Sequence, residues 1–169
     1  MKKVLVIGAG GSGKTTLAQA LAARTGLPVI HLDQHFWRPG WVKTPDDQWD
    51  RTIAEFVARD SWIMDGNYGR TLAMRLAAAD TIIFLDAPRL LSSWRILKRQ
   101  LQYLGRNRPD LAPGCPERLT WEFVTWVWTY RSRRRPAILA QLDAVSHQKR
   151  IVVLRNDREI RAFLASVET

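Results

Sequence analysis

The sequence predicts an α/β fold, a three-layer doubly wound sheet of five parallel strands with helices on both faces and a helical lid. Short continuous apolar runs, typical of strands buried on both faces, alternate along the chain with longer segments of helical periodicity. No internal repeat, low-complexity tract or linker interrupts the 169 residues. We therefore expect a single domain over residues 1–169, with a lid insertion at about 105–135.

The predicted elements follow one another in a regular order. The five strands cover residues 4–7, 28–32, 61–64, 81–85 and 151–154. The helices cover 15–23, 88 to about 104, 117 to about 134 and 157–167, and two more begin at Thr44-Pro45 and at Pro136. Thr44 is expected to cap its helix, with Pro45 at the first position. A tryptophan-rich loop is predicted at 36–42 and a Pro/Gly-rich loop at 105–116.

Charge and composition limit the class of protein. The formal net charge is +10, and residues 87–169 carry 16 Lys/Arg against 7 Asp/Glu, whereas residues 1–86 carry 10 against 9. A basic half suits an anionic small substrate or nucleic acid, or is simply a solvated basic face. No apolar run is long enough to span a bilayer, and the single cysteine, Cys115, allows no internal disulfide. We expect a cytoplasmic protein without a membrane partner, and the sequence leaves its oligomeric state open.

The stretch GAGGSGKTT, residues 8–16, fits two nucleotide-binding motifs. Gly8, Gly10 and Gly13 match the dinucleotide pattern G-x-G-x-x-G. Gly8 and Gly13 followed by Lys14 and Thr15 match the phosphate loop G-x-x-x-x-G-K-[ST]. In a phosphate loop the lysine reaches the β- and γ-phosphates and the threonine hydroxyl binds Mg²⁺. A dinucleotide site or a plain glycine-rich turn needs neither side chain, so we prefer the phosphate loop and predict ATP and Mg²⁺ as cofactors.

The predicted nucleotide contacts are Gly8, Ala9, Gly10, Gly11, Ser12, Gly13, Lys14, Thr15 and Thr16.

Three later features indicate phosphoryl transfer. Asp65 ends the third predicted strand, where it could hold Mg²⁺ directly or through water, although Asp-Gly is also common in turns. Arg95 and Arg99 lie four residues apart on one helix face, either as a phosphate clamp or as a solvated basic stripe. Arginines also cluster after the predicted lid, where they could neutralise a transferring phosphoryl group or contact nucleic acid. They are Arg131, Arg133, Arg134 and Arg135.

These stretches together resemble the adenylate-kinase-like branch of the P-loop kinases. GAGGSGKTT is similar to its phosphate loop, IMDGNYGRT to its D-G-F-P-R-T stretch, and FLDAPRLLSSWRILKR to its segment with two nucleotide-contacting arginines. More narrowly, HLDQHFWRPGWVKTPDDQW and the closing IVVLRNDREIRAFL resemble small bacterial DNA topology modulation proteins. The resemblance spans nearly the whole chain. It implies catalytic roles for Lys14, Arg95 and Arg99, and for lid arginines such as Arg131 and Arg135.

Asp33 lies where the chain departs from adenylate kinases. Those enzymes carry a T-G-D-x-[LM]-R segment that helps to bind AMP, and this chain lacks it. Asp33 instead resembles the second-strand acid of shikimate, gluconate and some nucleoside kinases, which binds the acceptor hydroxyl. A carboxylate there could also accept the hydroxyl proton. Trp37 and Trp41 either line an acceptor pocket or pack on the core. His31 and His35 are expected to be hydrogen-bonded structural residues rather than a metal pair.

Two functions are compatible with these residues. The first is an ATP-dependent phosphotransferase that moves the γ-phosphoryl group to a small hydroxyl or phosphate acceptor, nucleoside-like or nucleotide-like, with Asp33 at the acceptor. The second is a nucleic-acid-binding P-loop ATPase that affects DNA topology. The sequence contains no helix-turn-helix, zinc-finger or RNA-recognition signature. We prefer the kinase because it accounts for more residues at defined positions.

Overall fold

A five-stranded parallel sheet organises the computed structural model, which describes residues 1–103, 111–116 and 120–167. The sheet order is β2-β5-β1-β6-β7, and β3 and β4 form a separate antiparallel hairpin. The strands are β1 (Lys3–Gly8), β2 (Val29–His31), β3 (Trp37–Arg38), β4 (Val42–Lys43), β5 (Trp62–Asp65), β6 (Thr81–Leu85) and β7 (Arg150–Leu154). The parallel α/β architecture predicted from the sequence is confirmed.

Helices flank both faces of this sheet. They are α1 (Lys14–Thr25), α2 (Leu32–Phe36), α3 (Asp46–Ala58), α4 (Leu72–Ala78), α5 (Arg89–Tyr103), α6 (Trp121–Arg133), α7 (Arg135–Val145) and α8 (Asp157–Ala165), with a 3₁₀ turn at Gly69–Thr71. None of the helices in the described ranges is long and apolar enough to cross a bilayer.

The central strand β1 separates two apolar cores. Leu5 and Ile7 pack on one side with residues of α3 such as Trp49, whereas Val4 and Val6 pack on the other side with residues of α1 and α8. This division follows from the alternation of side chains along a strand. All four of these side chains are buried, so β1 fixes the position of the glycine-rich loop that follows it.

The structure differs from the sequence prediction between residues 31 and 45. Asp33 lies in the short helix α2 rather than at the end of a strand, and the predicted loop at 36–42 contains the β3–β4 hairpin. The prediction that Thr44 caps α3 is wrong, because Pro45 occupies the N-cap position. The Thr44 hydroxyl instead donates to the carbonyls of His35, at 3.2 Å, and Phe36, at 2.8 Å. Thr44 does not cap α3 because its hydroxyl is bound to these two carbonyls instead of the helix N-terminus.

The region of the predicted lid contains α6, which packs against α5 and α7. Parts of the predicted 105–116 loop and of the helix beginning at 117 lie outside the described residues. The described part places α6 beside the glycine-rich loop, since a Cβ built on Gly10 would meet Phe123 and Val127 at 3.1 Å. That this region acts as a lid stays a prediction.

Candidate active site

The phosphate loop, residues 8–15, connects β1 to α1 as a tight turn. Gly11 has φ +73°, and a Cβ there would lie 2.4 Å from the Ser92 carbonyl oxygen. Gly8 has φ +152°, and its Cβ would lie 2.6 Å from the Leu85 carbonyl oxygen. Both positions therefore need glycine, for the backbone conformation and for the close approach of neighbouring backbone. The loop leads into the N-terminus of α1, which is a favourable place for phosphate groups.

The side chain of Lys14 folds back over this loop. Its ammonium donates hydrogen bonds to the carbonyls of Gly8, at 3.0 Å, and Ala9, at 2.9 Å. The predicted cation therefore lies at the loop itself rather than in solvent, as a phosphate-binding lysine requires.

Thr15, Asp65 and His31 form a hydrogen-bonded chain behind the loop. The Thr15 hydroxyl donates to Oδ2 of Asp65 at 2.9 Å, and Nδ1 of His31 lies 2.8 Å from Oδ1 of the same carboxylate. The parallel pairing of β1 and β2 with β5 produces this contact, since His31 and Asp65 are register partners. The side chains of His31 and Asp65 are only 13% and 6% exposed. His31 thus has the structural role expected of it.

This arrangement fits a magnesium ion. A threonine hydroxyl and a carboxylate 2.9 Å apart supply the oxygen ligands that Mg²⁺ prefers, and substrate phosphates and water usually complete its shell. Within the described residues, no group of three or more His, Cys, Asp or Glu side chains forms an alternative metal site.

The loop after β5 is joined to the phosphate loop by Asn67. The Asn67 amide accepts from the Gly8 N–H at 3.1 Å and donates to the Gly8 carbonyl at 2.6 Å. Sequence reasoning missed this residue, and its only signal was its position directly after Asp65-Gly66. These two hydrogen bonds fix the position of the loop after β5 relative to the phosphate loop.

A buried arginine binds the backbone of the same loop. Arg75, on α4, is fully buried and donates to the carbonyls of Gly66 at 2.9 Å, Asn67 at 2.5 Å and Tyr68 at 2.8 Å. Burial lowers the pKa of Arg75 to about 9, which still leaves it charged at neutral pH. Arg75 was not among the site residues predicted from the sequence. An arginine within the apolar helical stretch LAMRLAA was the available signal.

Asp33 is held by a tyrosine. The Tyr68 hydroxyl donates to Oδ1 of Asp33 at 2.5 Å, and the Tyr68 ring packs on Phe36 and Trp49 with centroids 4.4 and 4.9 Å away. Burial and then the Asp33 charge raise the pKa of Tyr68, so it remains a phenol that donates. The backbone of Tyr68 has φ +24°, a strained value for a side chain of this size. The surrounding contacts therefore hold Tyr68 in place over Asp33.

Trp37 and Trp41 lie in the segment of the β3–β4 hairpin, and whether they line an acceptor pocket stays a prediction. Trp37 and Trp41 contact each other edge to face at 5.2 Å, and the Trp41 indole donates to the Pro116 carbonyl at 3.0 Å. The Gly40 N–H donates to the Gly114 carbonyl at 2.9 Å, and the fully buried Cys115 lies beside the same hairpin. Trp41 thus fastens the hairpin to residues 114–116. His35 packs edge to face on Phe56 at 4.7 Å.

The two helix arginines, Arg95 and Arg99, lie beside different neighbours. Arg95 donates to the Ser12 carbonyl at 3.3 Å and pairs with Asp157 at 2.5 Å, so it lies beside the phosphate loop. Arg99 lies 5.9 Å from the ring centroid of Phe123 on α6. Arg95 therefore touches the loop, and the phosphate clamp formed by both arginines stays a prediction.

Two of the four arginines predicted after the lid, Arg131 and Arg135, converge on Asp86, which follows β6. Arg135 binds this carboxylate through two nitrogens at 2.8–3.0 Å, and Nε of Arg131 lies 4.0 Å from it. The side chain of Asp86 is 4% exposed, and its hydrogen bonds raise the pKa of Arg135. Asp86 directly follows Leu85, the register partner of Gly8, so both arginines lie near the phosphate loop. Sequence reasoning missed Asp86.

Comparison with known proteins identifies the class of fold. A model of the isopentenyl transferase family matches residues 1–36, the part that contains the phosphate loop and Asp33. No curated protein sequence matches the chain significantly.

Three solved structures that resemble the chain over nearly its whole length are described as kinases. An unliganded sugar kinase from a Janibacter species is 22% identical, with a TM-score of 0.55 and coverage of 100% of this chain and 99% of that one. Shikimate kinase from Acinetobacter baumannii in complex with shikimate is 14% identical, with a TM-score of 0.60 and coverage of 99% and 90%. A candidate kinase from Chloroflexus aurantiacus is 20% identical, with a TM-score of 0.54 and coverage of 98% and 96%.

These similarities and the glycine-rich loop define a kinase-like P-loop fold, as the sequence predicted. The narrower resemblance to DNA topology modulation proteins stays a prediction.

Proposed function

We propose that the protein is an ATP-dependent phosphotransferase that moves the γ-phosphoryl group to a small, nucleoside-like or nucleotide-like acceptor. One observation carries this proposal: the Thr15 hydroxyl lies 2.9 Å from the Asp65 carboxylate, at the end of the phosphate loop. Such a pair is what phosphoryl transfer needs to organise Mg²⁺ beside the β- and γ-phosphates. The kinase-like fold of the similar structures supports the same reaction class.

On the nucleotide side, the backbone of residues 8–16 would bind the phosphates. Lys14 would exchange its contacts with the Gly8 and Ala9 carbonyls for the β- and γ-phosphate oxygens. Thr15 and Asp65 would hold Mg²⁺, with His31 keeping the carboxylate in its present orientation. Bound Mg²⁺ would neutralise charge on the phosphates during transfer.

On the acceptor side, Asp33 would bind the hydroxyl that is to be phosphorylated. The acceptor hydroxyl would take the place of the Tyr68 hydroxyl as the donor to Asp33. Asp33 would accept its proton as the acceptor oxygen bonds to the γ-phosphorus, while the bond from that phosphorus to the β,γ-bridging oxygen breaks and ADP leaves. Arg95 already lies at the loop. Arg131 and Arg135 would have to leave Asp86, and Arg99 would have to leave Phe123, before they could reach the transferring group.

The experiment is ADP release from ATP and Mg²⁺ across a panel of nucleosides, nucleotides, sugars and related hydroxyl compounds. We expect at least one compound to raise the rate sharply, and Asp33→Asn to abolish that rise while binding of a fluorescent ATP analogue persists. Asp47→Asn is the matched control, because Asp47 is an exposed acid that pairs with Arg51 on α3. A rate that stays at background across a broad panel would overturn the proposal.

The alternative, a nucleic-acid-binding ATPase, is less well supported by the arginine contacts. Arg95 lies against the phosphate loop and Arg135 is bound to the buried Asp86, so these cations are not part of an open basic face. Binding to duplex DNA that weakens steeply with added salt, together with DNA-stimulated ADP release, would favour this alternative over the kinase.

A further inference from the structure

The side chain of Asn67 lies where the next step of the β1–β5 ladder would lie. The two strands pair in parallel as far as Val6 and Asp65, and the Gly66 N–H donates to the Val6 carbonyl at 3.3 Å. Gly8, two residues beyond Val6, directs its backbone N–H and carbonyl to the same side of β1. The Asn67 amide binds both of these groups, at 3.1 and 2.6 Å. The side chain therefore takes the place of backbone in a strand that has already ended.

A buried arginine accounts for the absence of a backbone contact at this step. One further step of a parallel ladder would bond the Gly8 N–H to the Gly66 carbonyl. That carbonyl instead accepts from Arg75 at 2.9 Å, and Arg75 also binds the Asn67 carbonyl at 2.5 Å. The backbone that carries Asn67 is thus held by a residue outside the phosphate loop. The orientation of the amide is also fixed, because turning it over would set N–H against N–H.

The Gly8 carbonyl has a second donor, the ammonium of Lys14. Nζ of Lys14 lies 3.0 Å from this oxygen, and Nδ2 of Asn67 lies 2.6 Å from it. A carbonyl oxygen has two lone pairs and can accept from both. Gly8 is buried, so leaving its carbonyl without a donor would be unfavourable. The lysine and the asparagine therefore share one buried acceptor.

Nucleotide binding would remove one of these two donors. Under the proposed function, Lys14 exchanges the Gly8 and Ala9 carbonyls for phosphate oxygens. The Gly8 carbonyl would then keep its bond to Asn67, whose backbone is held independently of the lysine. Without Asn67, the departure of Lys14 would take both donors from a buried carbonyl, and the cost would oppose the move of the lysine to the phosphates.

We propose that Asn67 is a positioning residue for nucleotide binding, which keeps the Gly8 carbonyl bonded when Lys14 turns to the phosphates. This inference rests on the proposed function, since it requires a nucleotide at the phosphate loop. It gives Asn67 an effect on nucleotide affinity that acts through Lys14. A residue that only stabilised the loop would affect the affinity whether or not the lysine was present.

The first test is a double-mutant cycle on nucleotide affinity. The full chain is titrated with a fluorescent, non-hydrolysable ATP analogue in the presence of Mg²⁺. Leucine replaces Asn67 because it fills a similar volume and makes no hydrogen bond. We expect Asn67→Leu to weaken binding about tenfold, the order expected for one buried carbonyl left without a donor. In a Lys14→Met chain, the same substitution should change the affinity by less than about twofold.

Gln148→Leu is the matched control, because it removes an exposed side-chain amide two residues before β7 and should leave the affinity unchanged. Circular dichroism checks that each variant is folded. An equal loss of affinity with and without Lys14, or no loss with Lys14 present, would overturn the inference and leave the proposed function intact. A wild-type chain that does not bind the analogue would overturn both.

A second measurement keeps Lys14 and removes its target instead. A fluorescent AMP analogue has no β- or γ-phosphate for the lysine to reach. Asn67→Leu should therefore weaken binding of the ATP analogue and leave binding of the AMP analogue unchanged. Asn67→Ala replaces it if the leucine variant does not fold. Equal weakening of both analogues would show a general loss of loop structure and contradict the proposed role of Asn67.

Discussion

Replacing Arg75 with Met should destabilise the protein strongly. Arg75 is fully buried and its guanidinium binds three backbone carbonyls of the loop at residues 66–68. A hydrogen bond from a charged donor contributes about 1.5–3 kcal/mol. Met keeps much of the apolar stem of the side chain but leaves the three carbonyls without this donor. We expect a net loss of about 3–5 kcal/mol, because each carbonyl left without its donor costs about 1–3 kcal/mol, and removal of a buried charge offsets part of that sum.

The assay is reversible denaturation by urea, with thermal unfolding as a second measurement. For a domain of this size the expected loss corresponds to a fall of roughly 10 °C in the unfolding midpoint. Arg51→Met is the matched control, because Arg51 is 68% exposed and pairs with the equally exposed Asp47. The free energy of unfolding of that control should change little. A loss below about 1 kcal/mol for Arg75→Met would refute the argument that this arginine stabilises the loop.

Three further predictions concern single side chains. His31→Ala should raise the Mg²⁺ concentration needed for half-maximal nucleotide binding about tenfold, because His31 orients the Asp65 carboxylate, while binding without Mg²⁺ stays unchanged. Tyr68→Phe should increase ADP release in the absence of an acceptor, because Asp33 is freed to accept a proton from water. Asp80→Asn should reduce stability at neutral pH but not in acid. Partial burial alone would raise the pKa of Asp80, but hydrogen bonds from Thr81, Lys3 and Lys2 outweigh it and lower the pKa. The stabilisation is thus present above the ordinary value of 3.8 and disappears as the pH falls through the lower folded pKa.

Each of these predictions has a contradicting outcome. His147 is exposed, so His147→Ala serves as the control for His31→Ala. If both variants change the Mg²⁺ dependence equally, the effect of His31 is not local. If the Tyr68→Phe variant still hydrolyses ATP after Asp33→Asn is added, Asp33 does not act as the base. A stability difference between wild type and Asp80→Asn that stays constant down to acidic pH, measured by urea denaturation, would contradict the assigned hydrogen bonds.

The parts of the site that are continuous in the sequence could be predicted. The apolar run of β1, the glycines after it and Lys14-Thr15 form one uninterrupted stretch, and local conformation determines where these atoms lie. The alternation of short apolar runs with segments of helical periodicity predicted the α/β class, because both patterns are also local in the sequence. Asp65 was identified as a magnesium candidate because it ends a buried strand, and the structure places its carboxylate on the Thr15 hydroxyl.

The contacts between separate segments could not be predicted. Strands β1 and β2 are consecutive in the sequence, but β5 lies between them in the sheet, and this order alone brings His31 to Asp65. Arg135 meets Asp86 across 49 residues, and Tyr68 meets Asp33 across 35. The Thr44 cap failed for a local reason, since its hydroxyl had two nearby carbonyls to bind instead.

The position of Asp33 changes how its chemistry should be understood. At the end of a strand, a carboxylate would face the phosphate loop directly, and its orientation would be set by the sheet. In α2 it lies two residues beyond His31, the last residue of β2, and its Oδ1 accepts a hydrogen bond from the Tyr68 hydroxyl. Tyr68 is in turn fixed by packing on Phe36 and Trp49 and by Arg75 below it. Under the proposed function, an acceptor would have to displace the Tyr68 hydroxyl from Asp33. A closely fitting hydroxyl compound would do so more readily than water.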